Sequence, residues 1–221
     1  MTSSNKVYLV DGARTPFLKV TSGPGPFTPV DLAVQCGRPL LLRQPFAPSA
    51  FDQVILGCVN VIADEMNPAR VAALRLGMGD AMIAFTVQIN CGSGMQSIDT
   101  AFRTISHGDA HLILAGGTEA LSHAPLVLRE DAVHWYSDLA RAQGTIDMAR
   151  HISDLRPDFF KPVIGLERGL TDPVTSLNMG QTAEVLAHRF NISRIEADAY
   201  AVQSQHRLAR AQREGWLDGE V

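Results

Sequence analysis

Through the first 117 residues, four short apolar runs alternate with segments of helical periodicity, and that rhythm leaves few folds open. The runs are residues 6–12 (KVYLVDG), 52–59 (DQVILGCV), 83–89 (IAFTVQI) and 111–115 (HLILA), the last stopped by Gly116 and Gly117. Each is rich in β-branched or aromatic residues and bounded by turn formers, the pattern of a strand. Between them, residues 29–43 set Leu32, Cys36, Leu40 and Leu41 at helical spacing. Asn67 followed by Pro68 opens a second helix carrying Val71, Leu74 and Met78. Residues 91–105 repeat Met95, Ile98, Phe102 and Ile105, with Gly108 as the stop. Strands alternating with helices predict an α/β fold whose sheet is largely parallel.

Beyond Glu119 the rhythm breaks. Residues 126–170 mix charges, aromatics and prolines without a clean period, which predicts an excursion from the sheet. Two helices follow. One runs over residues 182–190; the other starts at Ser193, with Glu196 three residues on as a capping box and Gly215 as its stop.

The chain of 221 residues is long enough to bury a core without disulfides or metal. Its net charge of −4 argues against a nucleic acid or an anionic membrane as the main partner. No run approaches the roughly 20 apolar residues of a membrane-spanning helix. The N-terminus lacks a signal-peptide profile, since Asp11 and Arg14 closely follow a short apolar stretch. The cysteines Cys36, Cys58 and Cys91 show no metal-ligand spacing, and three free thiols fit a reduced, cytoplasmic compartment.

Cys91 is the residue with chemical content. In TVQINCGSGMQSI it follows a strand and opens a helix. The first turn of a helix offers unpaired N–H groups and the positive end of the dipole, which favour a thiolate and can hold an oxyanion. Gly92 and Gly94 let a substrate approach the backbone. A small packed cysteine is the alternative at Cys91, and it is the better reading for Cys36 and Cys58. Other motifs fail. Ser93 lacks the G-x-S-x-G of a hydrolase elbow, Gly116-Gly117 is no dinucleotide fingerprint, and the 23–25 turn is no P-loop. The acidic pairs Asp64-Glu65 and Glu130-Asp131 read as solvated surface. None of the seven histidines sits in a recognisable pairing, so a base for Cys91 is not identified by spacing.

NCGSGMQSI, followed by LAGGTEALSHAPL, resembles the thiolase family. VYLVDGARTPF is similar to that family's opening strand and turn, ILGCV with NPARVAAL to its second strand and next helix, and NMGQTAEVLAHRFNISRIEADAYAVQSQHRLARAQREG to the segment returning from its CoA-binding loop region. GLTDP before NMGQTAE resembles acetyl-CoA acetyltransferases and 3-ketoacyl-CoA thiolases more than carrier-protein synthases. The resemblance implies a thiolase-like N-terminal domain, a mixed, mostly parallel sheet flanked by helices. It would be built from residues 1–121 and 179–221, with residues 122–178 inserted as the loop region on the CoA-binding side.

It also implies a reaction. Cys91, the cysteine of the CxSG motif, would attack an acyl carbonyl and carry the acyl group as a thioester. That group would then pass to a second thiol or carbanion, in thiolysis of a 3-ketoacyl-CoA or condensation of two acyl-CoA molecules. CoA and acyl-CoA enter as substrates, and no cofactor is covalently bound. Leu170, Asn178 and Met179 match positions that line the CoA channel, with Asn178 where many relatives carry histidine. A homo-oligomer, dimer or tetramer, is implied, with the strand at residues 83–89 paired across a two-fold.

The chain departs from the family in extent. The activating histidine of a GHP-type motif and the second cysteine of a CxG motif belong to a second half, and neither occurs before Glu220-Val221. The usual VNRxC also reads Val87-Gln88-Ile89-Asn90-Cys91. The expectation is an N-terminal half, completed by further sequence or by a separate polypeptide. The alternative is a non-catalytic thiolase-like domain that binds acyl-CoA or a partner. An independent cysteine hydrolase would need one of the chain's own histidines beside Cys91.

Overall fold

The structure, a computed structural model, describes residues 6–19 and 23–220; residues 1–5, 20–22 and Val221 lie outside the described residues. Two compact units divide the chain: residues 1–123 with 199–221, and residues 124–198.

The first unit opens with helix α1, Pro29–Leu42, started by a capping box in which Thr28 and Asp31 satisfy each other's backbone N–H groups. Strand β1, Gln53–Gly57, leads to α2, Pro68–Arg75, which Asn67 caps through the Arg70 N–H with Pro68 in the first turn. Strand β2, Ile83–Val87, precedes α3, Ser93–His107, which ends at Gly108 with a left-handed φ of 85°. Strand β3, Ile113–Gly117, completes a three-stranded parallel sheet in the order β2-β1-β3. Ile55 lies opposite Phe85 on one side and Ala115 on the other.

One face of this sheet carries the main core. Val54 and Leu56 point to it and meet Val30, Val34 and Leu41 of α1 and Ala69, Ala72 and Ala73 of α2. Successive strand residues point to opposite faces, so Ile55 and Gly57 look the other way, toward α3.

The expected α/β architecture stands, with three corrections in this unit. Residues 6–12 form no paired strand: Tyr8, Leu9 and Val10 are 73%, 91% and 71% exposed, because an extended segment becomes a strand only against a partner, and no described residue pairs with it. The run at 111–115 is shifted. The Asp52 carboxylate takes the N–H groups of His111 and Leu112, and β3 starts at Ile113 and runs through Gly116 and Gly117. Glu65 is not solvated surface. It is 8% exposed and accepts hydrogen bonds from Thr28 Oγ1 (2.8 Å) and the Val30 N–H (3.1 Å), adding a buried carboxylate to the positive end of α1.

The second unit holds the short antiparallel pair β4, Leu126–Val127, and β5, Val163–Ile164. With it come helices α4, Glu130–Arg141, α5, Gly144–Ser153, α6, Gly165–Gly169, and α7, Met179–Phe190. The last helix, α8, Arg194–Arg213, begins in this unit. Its capping box is present, the Ser193 N–H donating to Glu196 Oε2 at 2.8 Å. The period missing from the sequence at 126–170 reflects short helices gathered around one aromatic cluster, with apolar side chains such as Val133, Ile146 and Ile152 left exposed. Trp135 packs on Phe159 at 5.6 Å, the Arg156 guanidinium lies 4.6 Å from the Phe159 ring, and Trp135 Nε1 donates to the His151 carbonyl. Ala132 and Phe159 are the hydrophobic residues buried among those described there.

Candidate active site

Parallel strands deliver all their following loops to one end of the sheet, where α/β proteins place their ligands. Here those loops are residues 58–60, 88–92 and 118–120. Cys91 lies in the middle one.

β2 stops at Val87, and Asn90 takes a left-handed φ of 54°. Asparagine tolerates that conformation better than most residues. Cys91 follows, then Gly92 as N-cap, and the helix begins at Ser93. The expected helix start is thus displaced by two residues, and Cys91 sits in the elbow just before it. Ser93 pins this elbow. It is 3% exposed, and its hydroxyl accepts from the Ile89 N–H (2.9 Å) while donating to the Asn90 carbonyl (2.6 Å). Nothing in the sequence motif marks Ser93 for that role, because the bonds depend on the turn already being formed. The Cys91 side chain is exposed and makes no hydrogen bond to a described residue.

Glycine lets the elbow sit close to the sheet. A Cβ at Gly57 would overlap the Ser93 backbone and lie 2.6 Å from the Gly94 nitrogen; one at Gly117 would lie 3.3 Å from the Gly94 Cα. One turn on, Ser97 is fully buried, with its hydroxyl 2.7 Å from the Gly94 carbonyl and 2.6 Å from that of Gly116. A single proton serves one of them at a time, and either bond keeps α3 against β3.

The other thiols differ. Cys58 is 1% exposed; burial, reinforced by the charges of Glu119 and Glu65, pushes its pKa up to about 12. Burial also raises Cys36, against the nearby Arg43 cation. Both are protonated at neutral pH.

Four of the seven histidines are engaged elsewhere. His107 meets the Arg103 carbonyl, His123 that of Gly25, His134 pairs with Glu130 and His151 with Asp147. None bonds to Cys91 among the described residues. No group of three or more His, Cys, Asp or Glu side chains suited to a metal occurs among those residues.

Leu170, Asn178 and Met179 come together in the second unit. The Met179 N–H donates to the Leu170 carbonyl at 3.1 Å, and Thr171 bridges to Asn178. Asn178 caps α7: its Oδ1 accepts from the Gln181 N–H at 2.8 Å, and Gln181 returns a bond to the Asn178 N–H at 2.9 Å. The carboxamide oxygen is therefore committed to the helix, while the Leu170 and Met179 side chains are each 44% exposed. Met179 is the first residue of α7, not a residue preceding it as the spacing predicted.

Comparison with known proteins adds an independent line. The family described as "Thiolase, N-terminal domain" matches residues 7–221. A probable acetyl-CoA acyltransferase of Staphylococcus aureus (strain N315) is 33% identical over 217 residues, which cover 98% of this chain and 50% of that protein. One from Staphylococcus epidermidis (strain ATCC 12228) is 32% identical over 218 residues. Among solved structures, human mitochondrial 3-ketoacyl-CoA thiolase superposes with a TM-score of 0.71 at 32% identity, over 88% of this chain and 45% of that one. The acetyl-CoA acetyltransferase of Bacillus anthracis gives 0.68 at 29% identity, over 90% and 47%. The chain spans about half the length of the curated relatives it matches.

Proposed function

The chain belongs to the thiolase family, and on that premise we propose that it is the N-terminal half of a CoA-dependent acyltransferase in which Cys91 is the acylated nucleophile. One observation carries the reading. Cys91 is the exposed thiol of the three, set in a turn with left-handed backbone at Asn90, at the carboxyl ends of the strands and just before the first N–H groups of α3.

The chemistry is acyl exchange between thioesters. The Cys91 thiolate attacks the carbonyl carbon of an acyl-CoA, a new C–S bond forms, and the bond to the CoA sulfur breaks as CoA leaves as thiolate. During attack the carbonyl oxygen becomes an oxyanion; the Gly92 and Ser93 N–H groups are already given to the Ile89 and Asn90 carbonyls, so the donors this half offers it are the N–H groups of the first turn of α3 beyond Ser93. Completing the cycle requires a proton to be moved at the second substrate. A positioned acid or base contributes typically about 10²–10⁴-fold. No histidine of the described residues meets Cys91, so acylation here is expected to be slow and thiolysis absent.

The finer reading follows the family. Substrates are 3-ketoacyl-CoA or acyl-CoA, as in fatty acid metabolism. The second unit, with Leu170, Asn178 and Met179, forms the CoA-binding side; a human relative was solved in complex with CoA. The apolar outer side of α3 and the exposed Ile83 and Ile89 favour a homo-oligomer, dimer or tetramer, and a C-terminal half as covering partners. Three free thiols favour the cytoplasm. No helix among the described residues is long and apolar enough to cross a membrane.

Incubation with acetyl-CoA followed by peptide mass analysis tests the proposal. One acetyl group should appear on the Cys91 peptide and vanish in Cys91→Ala. Its absence from the wild-type chain would leave only the acyl-CoA-binding reading. Robust thiolysis by the chain alone would show that one of its own histidines acts as base.

A further inference from the structure

We propose that Glu119 is a positioning residue for Cys91, acting through the loop at residues 58–60 that its carboxylate holds; this rests on, and deepens, the reading of Cys91 as the acylated thiol. Glu119 stands two residues past β3. Its oxygens take two consecutive backbone donors from the loop after β1: Oε2 accepts from the Val59 N–H at 2.9 Å and Oε1 from the Asn60 N–H at 2.9 Å. The Cys58 sulfur lies 4.0 Å from Oε1 as a weak third donor. The loop returns the contact, since Asn60 Nδ2 donates to the Ala120 carbonyl at 3.0 Å.

That same loop holds the strand leading to Cys91. The Val59 carbonyl accepts from Gln88 Nε2 at 3.1 Å, and the Cys58 N–H donates to the Val87 carbonyl at 3.3 Å. Gln88 lies three residues before Cys91, where β2 has ended and the elbow begins. A continuous line of hydrogen bonds thus crosses the carboxyl ends of all three strands, from Glu119 through Val59 to Gln88. No part of it is visible as a motif, because Glu119 lies 60 residues from Val59, and Gln88 lies 29 from it.

The residue type is specific to the task. Two N–H groups pointing the same way need two acceptors, and an ionised carboxylate offers both with charge-assisted strength. Glutamine would supply one oxygen and set an N–H₂ against the remaining N–H. Alanine would release both donors, and the loop would then support Gln88 only through its own backbone.

The test compares wild type, Glu119→Gln, Glu119→Ala, Gln88→Ala and the Glu119→Ala/Gln88→Ala double variant of the 221-residue chain. The readouts are the iodoacetamide rate of Cys91 as a function of pH and amide exchange at residues 58–60 and 88–92. Glu119→Ala should slow Cys91 alkylation roughly 3- to 10-fold, with Gln88→Ala similar and the double variant no slower than the slower single. Glu119→Gln should fall between wild type and alanine. Val59 and Asn60 should lose exchange protection in Glu119→Ala and keep it in Gln88→Ala. An unmoved Cys91 rate and pH profile in a folded Glu119→Ala, or effects that multiply in the double variant, would overturn the proposal and leave Glu119 a purely structural residue. If Glu119→Ala does not fold, unchanged kinetics in both Glu119→Gln and Gln88→Ala overturn it equally. Alkylation needs no acyl transfer, so failure of Cys91 to acetylate sinks the enzyme reading while leaving this result readable.

Discussion

On the side of the sheet where Val54 and Leu56 point, α1 and α2 close a cluster of buried apolar side chains. On the side of Ile55 and Gly57, α3 turns Ser93, Ser97 and Ala101 inward and leaves Met95, Ile98 and Phe102 at 71%, 41% and 53% exposure. The first arrangement maximises apolar area removed from water, the main favourable term in folding. The second replaces large side chains with small ones so that a helix start can be brought against the strand ends. The two faces separate stability from placement of the site, and substitutions on each should differ in kind.

The largest effect is expected on the first face. Leu56→Ala removes a buried side chain there and should cost about 2–5 kcal/mol in urea unfolding, with Cys91 alkylation in the folded protein unchanged. On the second face, Gly57→Ala adds one methyl where the Ser93 backbone already sits. It should cost about 1–3 kcal/mol, the range for overpacking, and should also change the Cys91 alkylation rate because the elbow must move. Equal alkylation in both variants would break the distinction between the faces.

Cys58, next along β1's exit, gives a pH test. Its folded pKa of about 12 is above its ordinary 9.0, so the native state holds its proton longer than the unfolded chain does. The stability this confers is fully present below pH 9 and is lost as pH rises toward 12. Urea unfolding at stepped alkaline pH should show that decline, and Cys58→Ala should flatten it. The smallest effect belongs to the outer side of α3. Phe102→Ser should change stability by no more than about 0.5 kcal/mol if that side is solvent-exposed in solution. A larger, concentration-dependent loss would show that a second copy covers it.

Much of the fold was legible because its signals are local. Asn67 with Pro68, Ser193 with Glu196, and Gly108 and Gly215 with positive φ each act within one turn of chain, and each lies where its residue type predicts. The site was legible in part. Cys91 between a strand and a helix is visible from spacing, but the elbow shifts the helix start to Ser93. The apolar stripe of α3 shows that the segment is a helix without showing which side meets the sheet.

What the amino-acid order determined by itself is therefore the alternation of elements, most of their ends and the placement of one thiol at a strand-to-helix turn. Tertiary structure alone decided the rest. Residues 6–12 have strand composition and no strand, since pairing is a property of two segments. Glu65 is buried because α1 presents donors to it from 35 residues away, and Glu119 holds the loop at 58–60 from across the sheet. Such contacts depend on loop closures that no local pattern encodes; they exist only once the strands have aligned and brought their ends together.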